Sequence, residues 1–486
     1  MTKVFISYLV IFLGFTSLYS QNNIPLFDFA NAPQTLLLNP AYDIEAQYHV
    51  TIPFFGGNKI SIESSGITAY DLFANNSTPF QDKVQNTIYQ LTDKDFLLTN
   101  QKMELIHIGQ RIRKDLYISY GLYEELDLFM SFPVELLKLP FEGTSFSGKN
   151  YNIDGFNLQA NLMSVYHVGV QRKYSKQLSL GARLKFYNSA FDFSVGSIKG
   201  SFKTDINNDN TVTHSLNDFD LAIKSAGLPI KIDSDLKIIR DSNNNILLND
   251  NGTDVTITDF ISRGNILTNT LFSGNKGVGF DLGATYKIKK ITLAASINDL
   301  GFIYNYKLAQ TYSYKGDYVK ESLAFEYDSS DPISYVDRLV KDITDTNPVN
   351  IQDKGYISFR PFQINLFATY AFGGIRNNQC QYLKSAYSYK PIDKIGAHIY
   401  TQYRPNNILY EASIFYERKI TNGLLTRINY TVNRYSASNL GLAVSGQVGK
   451  LNLYAGFNNI LALSNLAKAN SISAQVGINV LLPNKR

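Results

Sequence analysis

The chain has no tryptophan, a single cysteine (Cys380) and, beyond its first 20 residues, no apolar run long enough to cross a membrane as a helix. The lone cysteine excludes an internal disulfide, so an exported protein of this size must be stabilised by backbone pairing and burial. The missing apolar runs exclude an ordinary helical membrane protein. A net charge of +5, from 46 basic and 41 acidic residues, is too small for the basic footprint of a nucleic-acid binder. Also absent are a glycine-rich phosphate loop, a nucleophile elbow and a zinc-protease motif, so nothing points to an enzyme or to a bound cofactor.

What is present begins with an export signal. Lys3 forms a short basic region, Val4 to Leu18 is mostly apolar, and Ser20 is a small residue before Gln21. This pattern predicts a signal peptide over residues 1–20. An exported chain without apolar helices is either soluble outside the cytoplasm or a β-barrel that crosses the outer membrane with alternating strands. Composition favours the barrel: 33 tyrosines and 31 phenylalanines suit interfacial aromatic girdles. The mean hydropathy of −0.14 suits apolar and polar residues that alternate rather than segregate.

The clearest alternation runs from Gly277 to Asn298. Val278, Phe280, Leu282, Ala284, Tyr286 and Ile288 share one face, and Gly279, Asp281, Gly283, Thr285 and Lys287 the other. After Lys289-Lys290, the residues Ile291, Leu293, Ala295 and Ile297 resume the apolar face, opposite Thr292, Ala294, Ser296 and Asn298. Adjacent strand residues point to opposite sides, so this is a hairpin with one apolar and one polar surface.

The pattern recurs along the chain. Residues 21–46, with two prolines and no period, read as an N-terminal plug or lead-in, followed by a barrel over 47–486. Alternation begins at Tyr48 to Phe55 and continues through Lys59 to Tyr70. Phe80, Val84, Ile88 and Leu91 predict a helix within 79–95, and Pro133 opens a second, short one. Strand pairs then turn at Lys114-Asp115 and Ser175-Lys176. Residues 204–274, rich in Asn and Asp, read as an extramembrane insertion with a hairpin turning at Ser242 to Asn245. A second insertion spans about 308–358, with a short helix on Val336, Leu339, Val340 and Ile343. The last third is the most regular, with turns at Asn422-Gly423 and Gly449-Lys450. Short turns alternating with longer connections, and no fixed repeat, predict an all-β antiparallel transmembrane barrel of about 14 strands at roughly ten residues per crossing.

An ordered set of segments also resembles a known family. LLLNPAY (Leu36–Tyr42), SFPVELLKLPFEG (Ser131–Gly143), GARLKFYNS (Gly181–Ser189), KGVGFDLGATYKI (Lys276–Ile288), INDLGFIY (Ile297–Tyr304) and LYAGFNNILAL (Leu453–Leu463) occur in that order. They resemble an uncharacterised family of Bacteroidota exported proteins, a domain of unknown function. That family is itself similar to fatty-acid-transporter-like barrels and to barrel components of the type IX secretion and gliding apparatus. The resemblance implies a barrel in the outer membrane and supplies no catalytic or ligand residues. Many outer-membrane barrels end on an aromatic residue, whereas this chain ends LLPNKR.

The candidate chemistry is thin. The five histidines (His49, His107, His167, His214, His398) are not at metal-binding spacing. Asp205, Asn207 and Asp209 open like a calcium loop, but Asn210 and Leu216 stand where glycine and glutamate belong. His167 and His398 fall on polar faces, where a serine–histidine phospholipase site would have to be assembled in space. Arg183, Lys185, Glu411, Glu417 and Arg427 also fall on polar faces, and charge is costly against lipid, so they should point into the lumen, either as salt bridges that hold a plug, the favoured reading, or as the lining of a polar conduit. The expectation is a non-enzymatic barrel without catalytic, metal or cofactor residues, acting as an accessory part of an envelope assembly. Its partners would be outer-membrane lipid and another envelope protein. The rival is a carrier of a hydrophobic small molecule, which requires a Phe/Leu-lined internal cavity near the plug.

Overall fold

The computed structural model describes residues 29, 32–142, 148–196, 198–206, 212–227, 247–250, 253–256, 271–272, 274–322, 349–374, 391–404, 407–421, 423–433 and 439–482. The signal peptide, the calcium-like positions 207–209, the turn at 242–245 and the helix read at 336–343 lie outside them.

The polypeptide forms a closed antiparallel barrel of 14 strands. In chain order these are β1 (Tyr48–Thr51, continued by Asn58–Ser64), β2 (Phe96–Arg113), β3 (Leu116–Ser131), β4 (Asn157–Lys173), β5 (Leu178–Val195), β6 (Asn275–Ile288) and β7 (Ile291–Asn305). They continue as β8 (Tyr356–Phe359 and Gln363–Gly374), β9 (Pro391–Arg404), β10 (Asn407–Lys419), β11 (Leu424–Asn433), β12 (Asn439–Val448), β13 (Leu451–Phe457) and β14 (Ser471–Leu482). Each strand pairs with its sequence neighbours, and β1 closes the ring by pairing with both β2 and β14. Closure leaves no strand edge in the hydrocarbon, where an unpaired backbone group costs several kcal/mol.

The two faces of the Gly277–Asn298 hairpin are sorted inside out relative to a soluble sheet. Val278, Phe280, Leu282, Leu293 and their apolar neighbours are exposed on the outside, whereas Asp281, Thr285, Ser296 and Asn298 are buried in the lumen. A belt of exposed Leu, Ile, Val, Phe and Tyr continues round the other strands, as a lipid-facing wall requires. Among the described residues no helix is long and apolar enough to cross a membrane.

Prolines break the wall twice. Pro53 cannot donate to the ladder, Phe54 adopts φ 64°, and Phe55 N–H closes a turn on Ile52 O at 3.0 Å, so β1 stops at Thr51 and restarts at Asn58. The expected strand from Tyr48 to Phe55 is therefore four residues shorter. Pro361 likewise divides β8, which turns Arg360 into the lumen. The strand expected through Tyr70 ends at Ser64; Ala69–Phe73 is a helix, because Thr68 and Asp71 form a capping box. The helix expected within 79–95 spans Phe80–Gln90, and that opening at Pro133 spans Val134–Glu142.

Short turns gather at one end of the barrel, beside Tyr48 and Leu482. At the other end lie the helices and a sheet extension. There Val212–Ala226 pairs with Lys199–Ile206, with Gln310–Ser322 and with the end of β5. Tyr151, Ile153, Phe202, Leu216 and Tyr318 give this extension its own core. Leu247–Asp250 pairs with Thr253–Thr256 in a separate two-stranded sheet.

A plugged polar lumen as candidate functional site

Residues 32–46 occupy the lumen, entering from the short-turn end, and most of them are buried. Leu36, Tyr42, Ile44 and Ala46 form an apolar cluster with Tyr117, Ala294, Phe367 and Leu481 of the inner wall. The rest of the segment is fastened by polar contacts. Asn39 donates to Ala284 O at 3.3 Å and Ala295 O at 3.2 Å, while Ser296 and Asn298 donate to Leu38 O at 2.6 and 2.8 Å. Gln34 Nε2 lies 2.8 Å from Gly56 O, 2.7 Å from Glu104 and 3.0 Å from Asn479. Arg183 donates to Leu36 O, and Arg111 donates to Ile44 O and, at 2.9 Å, to Asp43. Gly181 and Gly283 make the close approach possible: a Cβ on either would stand 2.1 Å from Pro40 O or Asn39 Oδ1.

The five charges read onto polar faces all lie in this lumen and are buried. Lys185 bridges Asp281 at 2.9 Å and Asp299 at 2.7 Å, and Arg183 meets Asp281 at 3.1 Å. A bulge in β7, where Asp299 adopts φ 61°, aims that carboxylate inward beside Asn298. Arg427 pairs with Glu417 and lies between the rings of Phe29 and Phe415, at 4.9 and 4.1 Å. Glu411 is buried on β10. Two further pairs cross the lumen: Arg404 to Asp127 at 2.7 Å and Arg360 to Glu125 at 3.0 Å. Above them, Phe96, Leu98 and Phe129 meet Leu409 from across the ring.

Three of the five histidines converge, which their sequence spacing hid. The His49 and His107 ring centroids are 4.6 Å apart, and those of His107 and His167 are 5.2 Å apart. Gly121 lies in register between His107 and His167, and its missing side chain leaves room for the His167 ring. His49 Nδ1 meets the Tyr117 hydroxyl at 2.5 Å, and His107 Nδ1 is 3.3 Å from Glu104. Only strand register, which no local motif encodes, could have grouped these residues. Among the described residues no three His, Cys, Asp or Glu side chains are arranged to hold a metal ion. Asp205 pairs with Lys203 at 2.8 Å. His398 pairs with Asn365 at 3.1 Å, while Ser413, next to it in register, bonds Thr431 instead. His214, in the sheet extension, bonds Thr204.

Between plug and wall remains a cavity of about 70 Å³, lined by Gln34, Leu37, Leu38, Lys59, Lys102, Glu104, Lys185 and Asp299 among others. Ligand pockets usually span about 300–1,000 Å³, so this space suits a few waters rather than an apolar molecule.

The chain is similar to the toluene transporter TodX of Pseudomonas putida (10% identity, 96% of this chain and 97% of that chain, TM-score 0.38). It is also similar to a FadL homologue of Pseudomonas aeruginosa (9% identity, 95% and 98%, TM-score 0.39) and to the toluene transporter TbuX of Ralstonia pickettii (8% identity, 92% and 93%, TM-score 0.38). Likeness at this level transfers no ligand or activity to this chain. No curated protein matches the sequence. Residues 40–458 match the model of a family of unknown function, DUF5723, and the chain belongs to that family.

Proposed function

We propose that this protein is an exported, non-enzymatic outer-membrane barrel that serves as a plugged structural or accessory component of an envelope, secretion or gliding assembly. The observation that carries the reading is the bridging of opposite walls, Asp127 to Arg404 and Glu125 to Arg360, above a seated plug. A lumen tied across its width supports a scaffold rather than a conduit. On this reading residues 1–20 direct export, and the far end of the barrel, with its sheet extension, presents the docking surface. The test is purification of the full chain in mild detergent with mass spectrometry of what accompanies it, together with planar-bilayer recording. A stoichiometric envelope protein and a silent bilayer are expected. A barrel that conducts, or that travels alone with an apolar molecule, overturns the reading.

A second reading, a carrier of hydrophobic small molecules, is favoured by one observation. Where β1 is broken, Phe54 and Phe55 stand exposed on the outside, while Gln34 closes the same break from within beside the small cavity. On the carrier reading, Gln34→Ala raises uptake of a fluorescent long-chain fatty acid into vesicles; unchanged uptake counts against it.

A further inference from the structure

A second concavity lies on the outside of the barrel. A groove of about 730 Å³ has Ala368 and the main chain at Gly396 as its floor, and Tyr370, Ile395, Ile414, Tyr416 and Tyr430 as walls. Register fixes its orientation. Tyr370, Ile395, Tyr416 and Ile428 form one transverse row on the outer face of β8 to β11. Toward the short-turn end, Asp393 and Arg418 are paired in register in the next outward-facing row. There the Tyr416 hydroxyl donates to Asp393 at 2.7 Å, and Arg418, 59% exposed, stands 3.9 Å from the same carboxylate.

We propose that this groove seats an acyl chain of one phospholipid, whose zwitterionic phosphate–amine headgroup is held by Arg418 and Asp393. The occupant follows from where the groove lies. Its neighbours further from the short turns, Leu366, Ile399 and Val432, are exposed and apolar, so the groove is continuous with the surface that already contacts the bilayer. Hydrocarbon is therefore the medium that fills it. At the mouth an arginine and a carboxylate sit side by side at the end of the strands. The guanidinium can donate to phosphate oxygens and the carboxylate can face an ammonium, so a headgroup carrying both charges matches better than one carrying a net negative charge.

The test uses the full chain in nanodiscs of equal phosphatidylethanolamine, phosphatidylglycerol and phosphatidylcholine, transferred to mild detergent and examined by native mass spectrometry. One retained phosphatidylethanolamine per barrel is expected. Ala368→Trp fills the floor and should lower retention about tenfold, equivalent to about 1.4 kcal/mol. Ala182→Trp, outward-facing on β5, should leave it unchanged. Asp393→Asn with Arg418→Gln should keep a bound chain but lose the headgroup preference. Wild-type barrels that retain no lipid, or equal retention in wild type and Ala368→Trp, overturn the seat. Equal retention of all three lipids by the wild type overturns the headgroup assignment, and a dimer mass in place of a lipid overturns the occupant. None of these results depends on whether the lumen conducts.

Discussion

Arg404 on β9 donates two hydrogen bonds, at 2.8 and 2.7 Å, to the two carboxylate oxygens of Asp127 on β3, a residue 277 positions away in sequence. The guanidinium also lies 5.1 Å from the Phe129 ring, and Asn100 donates to Asp127 at 3.0 Å. Every partner of this fork is supplied by a different strand or by the residue two places along, so the pair couples strands that never touch through their backbones. It stands in the lumen as a crossbar.

Removing one end of the crossbar should be more damaging than removing both. Arg404→Ala leaves Asp127 buried without its cation, at a cost of about 3–5 kcal/mol, whereas Asp127→Leu with Arg404→Met should recover most of that. The denaturant midpoint for loss of the compact barrel, read by gel mobility, measures stability. Planar-bilayer recording of Arg404→Ala should show conductance that the wild type lacks. Equal stability of the two variants would show that the crossbar is not desolvated.

The plug makes a separate prediction. A side chain at Gly181 would overlap the Pro40–Ala41 backbone and one at Gly283 the side chains of Asn39 and Pro40, so Gly181→Val and Gly283→Val should expel residues 32–46 while leaving the barrel wall closed. Limited proteolysis should then cleave the N-terminal segment of the folded barrel. Gly446→Val is the control, since nothing lies within 4 Å of the Cβ it would add.

These two predictions differ in how far the sequence foreshadows them. The strict alternation around Leu282 and Leu293 made the strands and their two faces legible, and the cost of charge against lipid was enough to send Arg183, Lys185 and Arg427 inward. Residues 21–46 showed two prolines and no period, which fitted a plug or a lead-in alike and did not foretell the contacts of Gln34 and Asn39. The crossbar was not legible, because strand alternation says which way Asp127 and Arg404 point but not which wall faces which. The histidine cluster was hidden for the same reason: His49, His107 and His167 meet through the register of four strands, β1 to β4, and the absence of a side chain at Gly121. The break in β1 was concealed by Phe54 and Phe55, which continue the apolar pattern through a turn that Pro53 forces.

The outer wall can be probed by charge. Leu282 is 47% exposed within the apolar belt and Val448 is 70% exposed at a strand end. Lysine at a lipid-facing position costs about 2–4 kcal/mol near the bilayer midplane and about 0–1 near the interfaces. Leu282→Lys should therefore destabilise the barrel in phospholipid vesicles by several times the effect of Val448→Lys. In a soluble sheet both would be tolerated surface changes, so similar small effects would argue against lipid contact on this face.

His49 and Tyr117 supply the last prediction. Their 2.5 Å hydrogen bond joins lumen-facing residues of β1 and β3, both buried, so no bulk water replaces a lost partner. Tyr117→Phe removes the hydroxyl and leaves His49 Nδ1 unpaired, which should cost about 1–3 kcal/mol. His49→Phe alone strands the Tyr117 hydroxyl at a similar cost. The double variant strands neither group and should be more stable than the sum of the two losses implies, by about 1 kcal/mol or more, provided the rings keep their packing. A denaturation series on all four proteins in the same vesicles gives the coupling directly. Strict additivity would mean that ordered water already serves both groups, and that this level of the wall is held by ring packing rather than by the hydrogen bond.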